Sequence, residues 1–177
     1  MAHHITAIIG NRQALHGLID RFGDPGPTAL PFDLVIIPLG YQRHDALAMS
    51  VTPAFEGFIY LKPEKADAIG RAVGDGRALY IETEYFGSMG QQAAALFEDG
   101  AMVWQGARST FEPYKPKSIR ERLFGQPAET ARSPISQGLA RLGVVASIGL
   151  DEFDSVGLGR FRSLEDLGLD EYEDEDD

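Results

Sequence analysis

Two glutamates one residue apart, Glu82 and Glu84, stand in the stretch YIETEYFGSMGQQ, which runs straight on into a glycine-bounded turn. In an extended strand they share one face, with Cα atoms about 6.8 Å apart. Their mutual repulsion is about 0.6 kcal/mol in bulk water and about 2.4 kcal/mol at an effective dielectric of 20. Only the second value raises a carboxyl pKa enough for acid–base work, so exposure decides what the pair can do. Neighbours on one strand point in parallel and do not flank a glycosidic bond. Two carboxylates alone suit a hard cation such as magnesium only weakly. Gly87-Ser88-Met89-Gly90 does not open a helix, so it is no phosphate cradle.

Other chemistry-bearing residues are scattered. His3 and His4 point to opposite faces of a strand, and His16 and His44 have no i, i+4 partner histidine. There is no G-x-S-x-G elbow for a serine nucleophile. DEFDSVGLG lacks the alternating carboxylates and distant glutamate of an EF-hand. The chain has no cysteine, which excludes disulfides, thiolate metal sites and cysteine nucleophiles and fits a reducing compartment. These readings assign no catalytic residue, metal ligand or cofactor.

The elements that must position these residues follow from pattern. Residues 4–10, 32–40, 57–63 and 77–86 read as strands by their β-branched and aromatic content. Asn11 to Gly23 reads as a helix with apolar spacing at Leu15, Leu18, Ile19 and Phe22. Residues 24–31 read as a proline–glycine loop, 41–50 as a short helix, and Pro63 opens a helix that glycines close. Asp99-Gly100 between apolar runs predicts a type I′ hairpin joining strands at 91–98 and 101–106. Ser133, Pro134 and Gly143 are the N-cap, first residue and stop of a later helix. Residues 107–132 read as irregular and locally basic. Phe97, Trp104 and Phe111 are expected in the core. Leu79, Ile81, Thr83 and Tyr85 form the more apolar face of their strand, and hence the expected core face.

The fold class expected is α+β: a single mixed sheet of about six strands with short helices packed on it, including a C-terminal hairpin, with α/β as the alternative. Residues 1–149 form one domain and 150–177 an acidic C-terminal segment whose last part is expected to fray. The longest apolar runs, such as Leu34 to Leu39, are strand-length, and the N-terminus lacks a basic leader. A cytoplasmic protein with no membrane partner is expected.

The net charge is −11. Residues 1–149 hold 15 acids and 14 bases, whereas 150–177 hold 12 acids and 2 bases. That asymmetry disfavours nucleic acid, which needs a basic footprint, and favours a basic protein partner. The blocks YIETEYFGSMGQQAA and DEFDSVGLGRFRSLEDL are similar to stretches in small, uncharacterised bacterial proteins. As a class, the compact acidic chain resembles the immunity proteins that neutralise bacterial toxins; no motif is diagnostic, and no functional residue is carried over.

The expectation is a protein-binding inhibitor of immunity type that occludes a basic toxin enzyme's active site. Its expected contact residues are Glu82, Glu84, Tyr85, Asp151, Glu152 and Asp154. The alternatives are a carboxylate- or metal-dependent hydrolase using Glu82 and Glu84, and an assembly subunit.

Overall fold

Apolar side chains at consecutive positions, rather than at alternate ones, dominate the strands of this chain, and such strands need cover on both faces. A computed structural model describes residues 2–86, 89–110 and 132–170 and shows that cover. The strands are β1 (Ala2–Gly10), β2 (Thr28–Leu30), β3 (Leu34–Pro38), β4 (Arg77–Phe86), β5 (Met89–Glu98) and β6 (Ala101–Ser109). They form one sheet in the order β2-β3-β1-β4-β5-β6. The class is α+β, but every pairing is antiparallel where a mixed sheet was expected. The link from β3 to β4 crosses β1 and carries the helices α2 (Tyr41–Leu47) and α3 (Pro63–Val73).

One face of the sheet packs on these two helices and on α1 (His16–Phe22), through Ile8, Val35, Ile37, Tyr80 and Phe97 against Leu18, Leu47, Phe58, Leu61 and Ile69. The other face, through Ile5, Ile9, Leu79, Ile81 and Leu96, packs on α4 (Pro134–Leu142) and the chain that follows it. That chain includes the short α5 (Glu152–Ser155) and two 3₁₀ turns. Both faces of β4 are therefore core, not only the face of Leu79 and Ile81. The core also runs on past residue 149, because Val156, Leu158, Phe161, Leu164 and Leu167 are all buried in it. Residues 171–177 lie outside the described residues, as does Phe111.

Local chemistry sets the element ends. Asn11 Oδ1 accepts the Ala14 N–H at 2.7 Å, opening the turn that leads into α1, and Gly23 closes that helix at φ 63°. Pro63 is the first residue of α3. Ser133 Oγ accepts the Ser136 N–H at 3.1 Å, Pro134 begins α4, and Gly143 ends it in the left-handed region. Asp99 and Gly100, at φ 52° and 79°, make the expected turn between β5 and β6. This hairpin is not C-terminal, since residues 132–170 follow it and cover the sheet. Phe97 is fully buried, and Trp104 packs at the core's margin beneath the Arg141 guanidinium, 5.0 Å from the ring centroid.

Two further sequence expectations fail. Residues 28–30, read as loop, form a short edge strand. Residues 57–63, read as a strand, form none: Gly57–Lys62 is a loop folded over the sheet, and Pro63 already belongs to α3. The reason is a side chain. The backbone N–H groups of Ile59, Tyr60 and Leu61 bond to a carboxylate rather than to a neighbouring strand.

Among the described residues, no helix is long and apolar enough to cross a membrane.

Candidate functional site

Glu82 supplies that carboxylate. It sits in β4 between Thr6 of β1 and Ala93 of β5, on the face that carries Tyr80. Its Oε2 accepts the Ile59 N–H at 2.7 Å. Its Oε1 accepts the N–H groups of Tyr60 at 3.0 Å and Leu61 at 2.8 Å, and the Tyr80 hydroxyl at 2.7 Å. Only 4 % of the residue is exposed. Burial, reinforced by the Glu82 charge, holds the Tyr80 hydroxyl well above its ordinary pKa and keeps it a donor. Lys65, also buried, is pulled below its ordinary value by desolvation; Asp45 and Glu82 oppose that shift.

Four donors on one carboxylate make a clasp that ties the 57–61 loop to the sheet. They also separate the two glutamates physically. Glu84, two residues on, is exposed, so the pair does not share one environment. A buried carboxylate saturated by fixed N–H donors is poorly placed to exchange protons with a substrate.

His44 of α2 lies beside the clasp, its ring centroid 5.3 Å from that of Tyr60 and 6.2 Å from that of Tyr80. It is 4 % exposed, and neither ring nitrogen has a hydrogen-bond partner. Burial, with a smaller push from Lys65, lowers its pKa to about 3. The imidazole is neutral at any ordinary pH.

Beyond the clasp lies the β4–β5 end of the sheet, and the two faces of this end differ. On the helix face lies an open groove of about 570 Å³, bordered by His4, Ile59, Glu84, Phe86, Met89 and Gln91. Phe86 is 84 % and Met89 55 % exposed. The strands come together closely here, because a Cβ on Gly90 would collide with the Glu84 carbonyl.

On the opposite face a cavity of about 260 Å³ lies between the sheet and the C-terminal layer. Thr83, Tyr85 and Gln92 line it from the sheet, His3 from β1, and Ser133, Ile135, Asp151 and Phe153 from the layer. Thr83 Oγ1 bonds to His3 Nδ1 at 2.7 Å and accepts the Ile5 N–H at 3.1 Å. Gln92 Nε2 donates to the Tyr85 hydroxyl oxygen at 3.1 Å. Asp151 caps α5 by accepting the Asp154 N–H at 2.8 Å, and its other oxygen accepts from the Ser136 hydroxyl at 3.1 Å. Burial pulls the His3 imidazole below its ordinary pKa, against an opposing contribution from the Leu158 backbone.

The six residues singled out from sequence thus separate. Glu84 borders the groove, and Tyr85 stands at the strand end between groove and cavity. Asp151 meets Tyr85 in the cavity, and Asp154 is exposed nearby on α5. Two are withdrawn from any partner surface: Glu82 into its clasp, and Glu152, 3 % exposed, into an ion pair with Arg132 Nη1 at 2.9 Å. Sequence reasoning missed His3, Gln92 and Phe153 as site residues. No local pattern marks the three, which only the packing of the sheet against the C-terminal layer brings together.

Among the described residues, no group of three or more histidines and carboxylates is arranged to hold a metal ion. No family model, no curated protein and no solved structure matches the chain.

Proposed function

We propose that the protein is a binding protein whose working surface is the β4–β5 end of the sheet. It acts as an inhibitor of the immunity type, seated over the active cleft of a basic toxin domain. The observation that carries this reading is the exposure of Phe86 and Met89 beside Glu84, around an open groove. Exposed aromatic and methionine side chains have the composition of an interface centre, and Glu84 that of its polar rim. Glu84, Asp151 and Asp154 remain exposed to attract a basic surface, and the net charge of −11 steers it from a distance. The hydrolytic reading through Glu82 and Glu84 is disfavoured, because the first carboxylate is spent on the 57–61 loop.

The test is whether a pull-down with the full chain recovers a basic toxin domain, and whether their association, followed by surface plasmon resonance, differs between low and high salt. The association rate should fall steeply with salt, and Glu84→Lys should slow it further. An association rate indifferent to both would remove the electrostatic mechanism.

A further inference from the structure

The cavity on the opposite face has a chemistry of its own. Among the described residues, its lining includes one carboxylate, Asp151, and no lysine or arginine. Arg132, next in the chain to the lining Ser133, is already neutralised by Glu152. Gln92 donates one amide N–H to Tyr85, and its carbonyl oxygen is an acceptor. Both oxygens of Asp151 are held in place, one by the α5 backbone and one by Ser136, and each keeps acceptor capacity. Tyr85 and Phe153 add aromatic surface. An anion would meet the Asp151 carboxylate, and a purely apolar group would strip it of water. A cation with several N–H donors satisfies both the charge and the acceptors. A guanidinium does so at lower desolvation cost than an ammonium, and it stacks on aromatic rings. The same face already seats two of the chain's own guanidinium groups on rings, Arg141 over Trp104 and Arg160 over Phe161.

We propose that this cavity receives an arginine side chain of the partner protein, with Asp151 and Gln92 accepting from the guanidinium and Tyr85 and Phe153 flanking it. Assigning that arginine to a protein partner rests on the function proposed above; the cavity's preference for the group does not.

The full chain is titrated with N-acetyl-arginine amide and with its uncharged isostere N-acetyl-citrulline amide, followed by amide chemical shifts in NMR. Shifts should concentrate at Tyr85, Gln92, Asp151 and Phe153, with the arginine probe binding at least about tenfold tighter. Asp151→Asn should abolish that preference while keeping the α5 cap, because asparagine caps as well as aspartate. If the variant misfolds, the wild-type comparison of the two probes decides alone. Equal binding of the probes, shifts elsewhere, or an unchanged preference in a folded Asp151→Asn overturns the proposal. An acetyl-Gly-Arg-Gly-amide peptide should bind more tightly than free arginine. The reverse order would mark a small-molecule site and overturn the assignment to a partner. These titrations need no toxin, so retained arginine selectivity with failed inhibition would sink the inhibitor reading alone.

Discussion

Replacing Glu82 by glutamine tests the clasp. The carboxylate accepts three backbone N–H groups at 2.7, 3.0 and 2.8 Å and one hydroxyl at 2.7 Å. Bonds to a charged acceptor contribute about 1.5–3 kcal/mol each, but the sum is not reached, because the loop can open and hydrate its own N–H groups. Opening costs the burial of Phe58 and Leu61, now 8 % and 0 % exposed, at about 1.5–3 kcal/mol each. Glutamine keeps one acceptor oxygen but turns an NH₂ towards backbone donors. The expected loss is about 3 kcal/mol, or about 6–12 °C in Tm for a chain of this size. Glu84→Gln, at an exposed site, should stay within about 0.5 kcal/mol of wild type. Urea denaturation followed by circular dichroism gives the stabilities. Hydrogen exchange at the Ile59, Tyr60 and Leu61 amides locates the effect: slow in wild type, fast in Glu82→Gln. Equal stability of the two variants, with slow exchange retained at those amides, would refute the clasp.

Two further perturbations address the two layers separately. His44 has a folded-state pKa of about 3 against an ordinary value of 6.5, so the unfolded chain binds the proton more readily. The stability this provides is full above pH 6.5 and is lost as pH falls towards 3; between pH 7.5 and 5.0 the loss is about 2 kcal/mol. Wild type should therefore lose about 2 kcal/mol more than His44→Leu over that interval in urea denaturation, and parallel pH dependences would contradict the burial. In the other layer, Ser133→Ala removes the cap on the Ser136 N–H and should destabilise by about 1 kcal/mol, read from the denaturation midpoint at unchanged slope.

Much of the architecture could be read before any coordinates. The hairpin at Asp99-Gly100, the caps at Ser133 and Gly143, Pro63 opening α3, and the limits of β4 all come from local chemistry, which sequence states directly. What could not be read depends on tertiary partners. GFIYLKP has strand-forming residues, yet the N–H groups of Ile59, Tyr60 and Leu61 go to the Glu82 carboxylate, a contact across more than twenty positions. The apolar residues from Phe153 to Leu167 follow no helix or strand period, so nothing local marks them as cover for a sheet face. The acid pair misled because alternation assumes one wet face. Both faces of β4 are core as far as Thr83, and Glu84 is the first residue to emerge. The site itself was half legible: Glu84, Tyr85 and Asp151 were named, but that Tyr85 and Asp151 share a cavity follows only from β4 lying against the C-terminal layer.

Inhibition stoichiometry against a toxin domain recovered with the chain bears most directly on the proposal that this protein works by binding through the β4–β5 end. The wild-type chain should silence the toxin at one equivalent. Phe86→Ala, which removes a largely exposed ring without disturbing the core, should weaken inhibition about thirtyfold. Inhibition unchanged in Phe86→Ala, or silencing by a small fraction of an equivalent through turnover, would contradict the account.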